Sequence, residues 1–351
     1  MTGKKTKALL AALVVVLCLA GTIRADDNPM VRAALERSAL ERLLGNHKVI
    51  NIVDDFLVFW DQASDKPLRT QRRIWMRTVE SKHRDYFEKA VYRGADRAQR
   101  LAMLNEFLIR VPELVEAIRE LNRTITDSLI VTFINFKDFR FREYQQQHDV
   151  YFGLSFFRFD GAVRPVQNDQ GIPDTLCLGA EVLARYTPEQ VRVALAHEFF
   201  HLYHFAFLFQ QPGISSEEFR MPHIPLLIEG MAVAGAEEAF AGQPRVTYLH
   251  FSDDELATQQ KEMSSNAGRF LDLIRSSAPP DQYERWFTQS YEEHIPSRAG
   301  YLLGYEVAKR MMTAYTLEQM VRMNPAELRA HAEEQLAAMS GYRVMMMSAG
   351  R

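Results

Sequence analysis

The chain has 351 residues, of which 47% are hydrophobic and 25% charged, with a formal net charge of −3 at pH 7. Its 22 Phe and 13 Tyr supply ample apolar surface to bury, which excludes a chain that is mainly disordered. A chain of this length can form one large domain or two smaller ones. The balance of charge argues against a general nucleic-acid-binding protein.

The first 25 residues have the pattern of a secretory signal peptide. Lys4, Lys5 and Lys7 precede an uncharged apolar run over residues 8–21, and Ala25 offers a small residue at a cleavage site. The run is shorter than the roughly 20 apolar residues of a transmembrane helix, and an uncleaved anchor is the alternative. We therefore expect an exported protein, periplasmic or secreted, with no stable membrane span after cleavage.

Removal of this segment changes the charge and the cysteine content. Loss of its four positive charges leaves 38 basic and 45 acidic residues, a net charge of about −7, and Cys177 becomes the one remaining cysteine. Such a chain has no internal disulfide and depends on its core for stability. Cys177 lies in an apolar run, which predicts a buried, unreactive thiol.

The predicted elements begin with a helical region. Apolar residues recur at helical spacing over residues 29–121, including the stretch 49–60, and no cluster of metal-ligating residues occurs there. We predict an N-terminal helical region over residues 26–125 that packs against the remainder of the chain.

Strand patterns follow from residue 128. Three runs rich in β-branched and aromatic residues are predicted strands, at 129–136, 150–157 and 175–182. Residues 160–174 contain glycines and prolines and are a predicted loop. The fold class is therefore α+β and mostly α, with a small sheet.

Helices are predicted for the rest of the chain. Thr187, Pro188 and Gln190 form a capping-box helix start, and that helix is expected to run to about Phe209. A second helix follows Pro225 and ends near residue 239. Further helices are predicted at 253–276, 280–293, 297–314 and 325–339.

The first of these helices carries His197-Glu198-Phe199-Phe200-His201, an H-E-x-x-H motif. Successive helical residues turn by about 100°, so the two histidines lie about 40° apart on one face, where both imidazoles can bind one zinc ion. Glu198 lies on the adjoining flank and is the predicted general base, which accepts a proton from a zinc-bound water. A chance motif in a helical structural protein is the competing interpretation.

A catalytic zinc ion needs a third protein ligand and an open fourth position. Glu229 is the best candidate, because it is a lone carboxylate in an apolar helix and an unpaired buried charge is very costly. A salt bridge is the alternative role for this side chain, and Glu237 and Glu238 are competing carboxylates. The metzincin class is excluded, because Phe207 stands where its third histidine would be.

Two other histidines are possible contributors to the site. His204 lies about 10 Å from His197 along the helix axis, too far for both to bind one ion comfortably. It is expected either to line the cleft and support the site or to be a hydrogen-bonded core histidine. His223 precedes the helix of Glu229 and is a weaker candidate, since a loop histidine is usually solvated.

The two motifs together resemble those of the gluzincin metallopeptidases. H-E-x-x-H is followed after 27 residues by Glu229-Gly230-Met231-Ala232, an E-G-x-A pattern, most similar to the branches known as predicted zinc-dependent proteases. The resemblance covers roughly residues 128–312. It implies a zincin-like unit, which we assign to residues 126–351, and one zinc ion per chain held by His197, His201 and Glu229, with Glu198 as the base.

The chain departs from that resemblance at one position. Thermolysin-like members carry an acidic residue four positions after the ligand glutamate, which orients the first histidine. Val233 occupies this position here, so the partner of the histidine must come from elsewhere.

Peptide hydrolysis also needs a donor that stabilises the negative charge of the tetrahedral intermediate. The segment from Gly300 to Tyr305 looks similar to the G-Y-x-x-G segments of gluzincin-like families, so Tyr301 or Tyr305 is a candidate, and two core tyrosines are the alternative. An edge strand often holds the substrate backbone in such enzymes. The predicted strands 150–157 and 175–182 are the candidates for it.

The sequence therefore predicts a zinc-dependent peptidase with a peptide or protein substrate, acting outside the cytoplasm. The alternative is a catalytically inactive zincin-fold protein that serves as a binding or assembly factor of the cell envelope.

Overall fold

The computed structural model describes residues 48–136, 141, 148–167, 172–211, 214–215, 217–288 and 297–341. The predicted signal peptide and the helical pattern at residues 29–47 lie outside this part of the chain.

The first part of the described chain is mostly helical, as predicted. It contains strand β1 and five helices, β1 Val49–Asn51, α1 Val53–Ala63, α2 Leu68–Trp75, α3 Arg84–Tyr86, α4 Arg97–Arg110 and α5 Val115–Phe133. Two π-helical segments, Met76–Glu80 and Phe87–Tyr92, extend α2 and α3. These helices pack around fully buried aromatic rings, among them Trp75, which lies 5.3 Å from Phe59 and 5.5 Å from Phe107 between ring centroids.

Four short strands form one mixed sheet. The other three are β2 Val150–Gly153, β3 Gly161–Arg164 and β4 Thr175–Gly179, and the strand order is β1-β2-β4-β3. β2 is parallel to both β1 and β4, whereas β3 is antiparallel to β4. Within the described sheet β3 is therefore an edge strand, and β2 and β4 are interior strands.

Three predictions about strands were wrong. Residues 129–133 belong to α5, because their apolar side chains fit the buried face of a long helix and tertiary packing overrides β propensity. The residues of β1 were predicted to be helical, because they continue the apolar pattern of α1, and they become a strand by pairing with β2, about 100 residues later in the chain. β3 lies inside the predicted loop at residues 160–174 and is too short to give an alternating pattern.

The remainder of the chain is helical and follows the predicted order. Its helices are α6 Ala180–Leu183, α7 Pro188–Leu208, α8 His223–Ala239, α9 Arg245–Leu249, α10 Asp253–Lys261, α11 Met263–Arg275, α12 Pro280–Tyr283, α13 Ala299–Met311, α14 Leu317–Met320 and α15 Pro325–Met339. The predicted helix over 253–276 is divided into α10 and α11 at Glu262. In the described part of the chain, no helix combines the length and apolar character that a membrane crossing requires.

One contiguous group of buried apolar residues joins the N-terminal helices, the sheet and α7. Cys177 on β4 belongs to it, as predicted, and burial raises the pKa of its thiol, which therefore stays protonated. Helix α7 packs against α5, α8 and β3, so that little of its surface meets solvent.

Helices α8 and α13 cross at a pair of glycines. A Cβ atom on Gly230 would lie 2.1 Å from the backbone carbon of Gly304, and one on Gly304 would lie 2.2 Å from the carbonyl oxygen of Leu226. Neither position has room for a side chain, so the two backbones are in direct contact. This contact places Glu229 on α8 beside the first turn of α13, where Tyr301 lies.

We predict that Gly230→Ala destabilises the protein by about 1–3 kcal/mol, because the added methyl group meets backbone atoms that cannot rotate away. Chemical denaturation followed by circular dichroism measures the change. Ala330→Ser, on the exposed face of α15, is the control and is expected to have little effect. Equal stability of Gly230→Ala and the wild type would contradict the direct backbone contact.

Candidate metal centre

Helix α7 begins with the predicted cap. The Thr187 side chain accepts a hydrogen bond from the backbone N–H of Gln190, and the Gln190 side chain accepts one from the N–H of Thr187, which completes a capping box. The helix then continues without interruption through the H-E-x-x-H motif. Its regular geometry places the rings of His197 and His201 one turn apart, with centroids separated by 4.6 Å and planes nearly perpendicular.

Glu229 of α8 completes a triangle with the two histidines. Its Oε2 lies 3.1 Å from Nε2 of His197 and 3.4 Å from Nε2 of His201, and the two Nε2 atoms are 3.0 Å apart. The structure therefore brings the three predicted ligands to one point.

The charges of this triangle depend on one another. Burial lowers the pKa of His197, whereas His201 has a raised pKa, because the nearby Glu229 carboxylate outweighs the effect of burial. Burial disfavours the charged form of Glu229 as well, but His201 and His197 hold its pKa well below the usual range. The carboxylate form of Glu229 and the protonated form of His201 therefore favour each other.

The residues present fit a zinc ion. Ligand atoms that lie about 2.1 Å from one tetrahedral zinc ion are about 3.4 Å from one another, close to the three separations in the structure. Two imidazole nitrogens and one carboxylate oxygen are also a ligand set found in catalytic zinc sites. His197, Glu198 and His201 form a group whose ligand atoms all lie within 4.8 Å of one another.

Glu198 lies beside this triangle and faces strand β3. A Cβ atom on Gly161 would lie 2.3 Å from Cγ of Glu198, so only glycine at this position of β3 leaves space for the glutamate. Burial raises the pKa of Glu198 to about 8, and the positive charge of His201 acts in the opposite direction. Its Oε2 is buried and has no hydrogen-bond partner among the described residues.

The two other predicted histidines do not join the triangle. His204 is fully buried, neither of its ring nitrogens has a hydrogen-bond partner among the described residues, and burial lowers its pKa to about 3. It packs against Phe200 and Phe205 as a neutral core residue. His223 is buried at the start of α8, with Nε2 3.5 Å from Oε1 of Glu218, and it is not among the residues that line the cavity.

The two predicted tyrosines are in different surroundings. The ring of Tyr301 lies 6.3 Å from that of His197 between centroids, and the residue lines the cavity of the triangle. Burial raises the pKa of Tyr301 far above its usual value, with the charge of Glu229 acting in the same direction. Tyr305 lies outside this cavity and donates its hydroxyl proton to Glu237, which also forms an ion pair with Lys309.

A cavity of about 310 Å³ opens over the triangle, with β3 on one side and α8 and α13 on the other. The lining residues that were not predicted from the sequence include Asp160, His250 and Arg298. Arg298 stands three residues before Tyr301, and residues at this spacing lie on the same side of a helix, so the sequence could have indicated Arg298 as a neighbour of Tyr301. Asp160 and His250 lie at chain connections, where no periodic pattern indicates which way a side chain points.

Asp160 is the acidic neighbour that α8 lacks at Val233. Burial would raise its pKa, but the charge of His250, a hydrogen bond from the Tyr186 hydroxyl and the charge of Arg298 lower it, so the carboxylate is ionised. Its charge in turn favours protonation of His197. A second acidic residue that influences the first histidine, beside Glu229, therefore comes from the segment before β3.

A buried glutamate fixes that segment. Glu181 of α6 is fully buried, and its Oε1 accepts hydrogen bonds from the backbone N–H and the hydroxyl of Ser155 and from the N–H of Phe157. Phe156 and Phe157 have φ values of 56° and 62°, a left-handed conformation that is costly for bulky residues and is found where a backbone must turn sharply. Glu181 thus stabilises the turn that delivers Asp160 and Gly161 to the cavity.

Comparison with protein families gives one match. A family described as "Predicted Zn-dependent protease (DUF2268)" matches residues 162–330, which is just under half of the chain. The matched residues include most of β3 and all of α7, α8 and α13. No curated protein and no solved structure shows significant similarity to the chain. The chain is thus similar to predicted zinc-dependent proteases over the region that contains its His-Glu-His cluster.

We predict that the protein binds about one zinc ion per chain and that Glu229→Ala lowers zinc affinity by more than 100-fold. Loss of an outer partner of a zinc ligand typically costs about 10- to 100-fold, and loss of a ligand costs more. Metal content after gel filtration and zinc titration give the two quantities. Zinc at 100 times its dissociation constant should stabilise the wild type by about 2.7 kcal/mol.

Glu237→Ala is the matched control, since Glu237 is a carboxylate two turns further along α8 that pairs with Tyr305 and Lys309. This variant is expected to bind zinc as the wild type does. Equal zinc affinity of Glu229→Ala and the wild type would exclude Glu229 as a ligand.

Proposed function

We propose that this chain is a zinc-dependent peptidase that hydrolyses peptide bonds, with His197, His201 and Glu229 as zinc ligands and Glu198 as general base. The observation that carries the proposal is the convergence of three ligand atoms within 3.4 Å of one another, with a second carboxylate, that of Glu198, beside them, in a cavity large enough for part of a peptide. A bound zinc ion would lower the pKa of a coordinated water toward about 7 and polarise a substrate carbonyl.

Glu198 is the side chain that takes up a proton in this scheme. Its carboxylate cannot move toward the sheet, because Gly161 lies against it. Burial raises the pKa of Glu198 to about 8, and the charge of a bound dication would lower it, so that the carboxylate, whose Oε2 has no hydrogen-bond partner among the described residues, would be ready to accept a proton. Glu229 is already engaged by two imidazoles and is the less suitable acceptor. Glu229 is therefore the proposed zinc ligand, and Glu198 is the proposed general base.

Tyr301 is the proposed donor to the oxyanion. Its raised pKa keeps the phenol protonated at neutral pH, so that the hydroxyl can donate a hydrogen bond to developing negative charge. Tyr305 is the weaker candidate, because its hydroxyl proton is committed to Glu237.

The edge strand β3 is the proposed binding site for the substrate backbone. The two strands that the sequence offers for this role, β2 and β4, have neighbouring strands on both sides and present no free edge. β3 pairs with β4 on one side only within the described sheet, and all four of its residues line the cavity. An extended peptide can add to such an edge through main-chain hydrogen bonds.

Two features of the proposal concern the chain as a whole. The pattern of residues 1–25 favours action outside the cytoplasm, in the periplasm or after secretion. The assignment of residues 26–125 as a separate helical region and of 126–351 as the catalytic unit is also part of the proposal, although β1 from the first region contributes a strand to the sheet.

We predict that Glu198→Gln lowers peptide hydrolysis by about 10²- to 10⁴-fold and leaves zinc content unchanged, because the amide keeps the shape of the side chain but cannot accept the proton. Glu189→Gln, at an exposed position on the first turn of the same helix, is the control. Cleavage of a mixed peptide library, followed by mass spectrometry, measures activity whatever sequence the enzyme prefers.

Two other outcomes would change the assignment. Full activity of Glu198→Gln would remove Glu198 as the base. A wild type that binds zinc and cleaves no peptide in the library would favour the inactive binding or assembly factor.

We predict that Tyr301→Phe lowers kcat by about 10²- to 10³-fold with little change in KM, because a donor to the oxyanion acts mainly in the transition state. Tyr305→Phe removes the same oxygen atom from a residue outside the cavity and is expected to retain activity. The reverse order of effects would move the donor role to Tyr305.

A further inference from the structure

Arg298 occupies a distinctive position in the wall of the cavity. It is the residue before α13, with φ of 58° in the left-handed region, and its backbone N–H donates to the carbonyl oxygen of Thr288. This conformation is costly for a residue other than glycine and is common where function requires it. It directs the side chain toward Tyr301.

Among the described residues, aromatic rings and a carbonyl oxygen hold the guanidinium group, and no acid forms an ion pair with it. It lies 4.6 Å from the ring centroid of Tyr301 and 5.7 Å from that of Phe251, and one Nη1–H donates to the carbonyl oxygen of His250 at 3.3 Å. None of the ion pairs found between described residues includes Arg298. Stacking of this kind fixes the plane of the group and leaves further N–H donors available.

Asp160 is an acid whose charge interacts with that of Arg298, but its hydrogen bonds come from other residues. Asp160 accepts hydrogen bonds from the Tyr186 hydroxyl and from the N–H of Gly161. Arg298 contributes to the low pKa of Asp160 through its charge alone. Asp160 therefore does not use the hydrogen-bonding edge of the guanidinium.

The charges that line the cavity would favour an anionic ligand once a dication is bound. Three arginines, Arg158, Arg164 and Arg298, and three carboxylates, Asp160, Glu198 and Glu229, line it. These six charges cancel, so a bound zinc ion leaves a positive excess. Among the three arginines, Arg298 is the one stacked on Tyr301, whose ring lies beside that of His197.

We propose that Arg298 is a specificity-determining residue that binds a carboxylate of the substrate. The proposal rests on the peptidase function above and names the class of substrate, peptides with an anionic group close to the bond that is cleaved. A guanidinium group held in one plane can bind both oxygens of a carboxylate. That carboxylate is either the C-terminus of the peptide or the side chain of an aspartate or glutamate.

The test compares substrates that differ only in this group. Two pairs of internally quenched peptides share one cleavable sequence: the first pair ends in a free acid or an amide, and the second contains Glu or Gln next to the cleaved bond. With the zinc-loaded full chain, kcat/KM is expected to be about 10- to 100-fold higher for the charged member of one pair, the size of effect typical of a charge-assisted hydrogen bond. The pair that shows the preference identifies the source of the carboxylate.

Arg298→Gln should reduce that preference to less than 3-fold, and Arg298→Lys, which keeps the charge without the planar fork, should retain part of it. The control is Arg310→Gln, an exposed arginine on the last turn of the same helix, which should keep the full preference. If Arg298→Gln does not fold, the lysine variant carries the comparison, and an unchanged preference in it would overturn the bidentate contact.

A purely structural role for Arg298 predicts a different result. Loss of its contacts with Tyr301 and His250 would lower activity on all four peptides by the same factor and leave the ratios unchanged, which would overturn the proposal. Equal rates of the wild type on both members of both pairs would also overturn it, while the peptidase function would stand.

A binding measurement separates this inference from the proposed function. Fluorescence anisotropy with labelled forms of the same peptides and the zinc-loaded Glu198→Gln protein reports affinity without turnover. A preference for the charged member that Arg298→Gln abolishes would support carboxylate binding even if the wild type proved inactive. No preference in binding, together with no hydrolysis, would remove both proposals.

Discussion

Two imidazole nitrogens and a carboxylate oxygen lie within 3.4 Å of one another between two buried helices, and this proximity requires a positive charge at their centre. The raised pKa of His201 and the lowered pKa of Glu229 agree with this, because each reflects the attraction between an imidazolium and a carboxylate. A metal dication meets the same requirement more completely, because it contacts all three ligand atoms at once. The helices that hold these side chains are therefore arranged so that a cation could bind between them.

Close approach of backbone elements makes this arrangement possible. Gly230 and Gly304 let α8 touch α13, and Gly161 lets β3 touch Glu198. A side chain at any of these positions would separate elements whose distance sets the geometry of the site. The three glycines are therefore as important for the geometry of the centre as the candidate ligands, and Glu229 is adjacent in sequence to Gly230.

The sequence predicts the parts of this site that depend on local structure. His197 and His201 lie on one capped helix, so the motif alone predicts their relative positions. Glu229 is a lone carboxylate in an apolar helix, which predicts that it pairs with a group on another helix, and it lies beside His197 of α7. Features that depend on distant pairing could not be predicted. β3 and β1 exist because of partners elsewhere in the chain, and Asp160, His250 and Arg298 reach the cavity from chain connections. The sequence also does not distinguish the two tyrosines, which lie one turn apart on the same helix. Only the structure shows that Tyr301 lines the cavity while Tyr305 contacts Glu237.

Val233 shows how one departure in sequence is connected with the rest of the fold. No acid follows Glu229 on α8 at the position of Val233, and Asp160, at the end of a turn that Glu181 stabilises, adds a second negative charge that acts on His197 beside that of Glu229. That turn leads directly into β3, the proposed binding strand for the substrate. Asp160 and β3 therefore belong to one continuous segment of the chain. Any movement of β3 on binding a peptide would also move the charge of Asp160 relative to His197 and Arg298. On the proposed function, substrate binding at β3 would therefore be coupled through residues 155–164 to the charge that acts on His197.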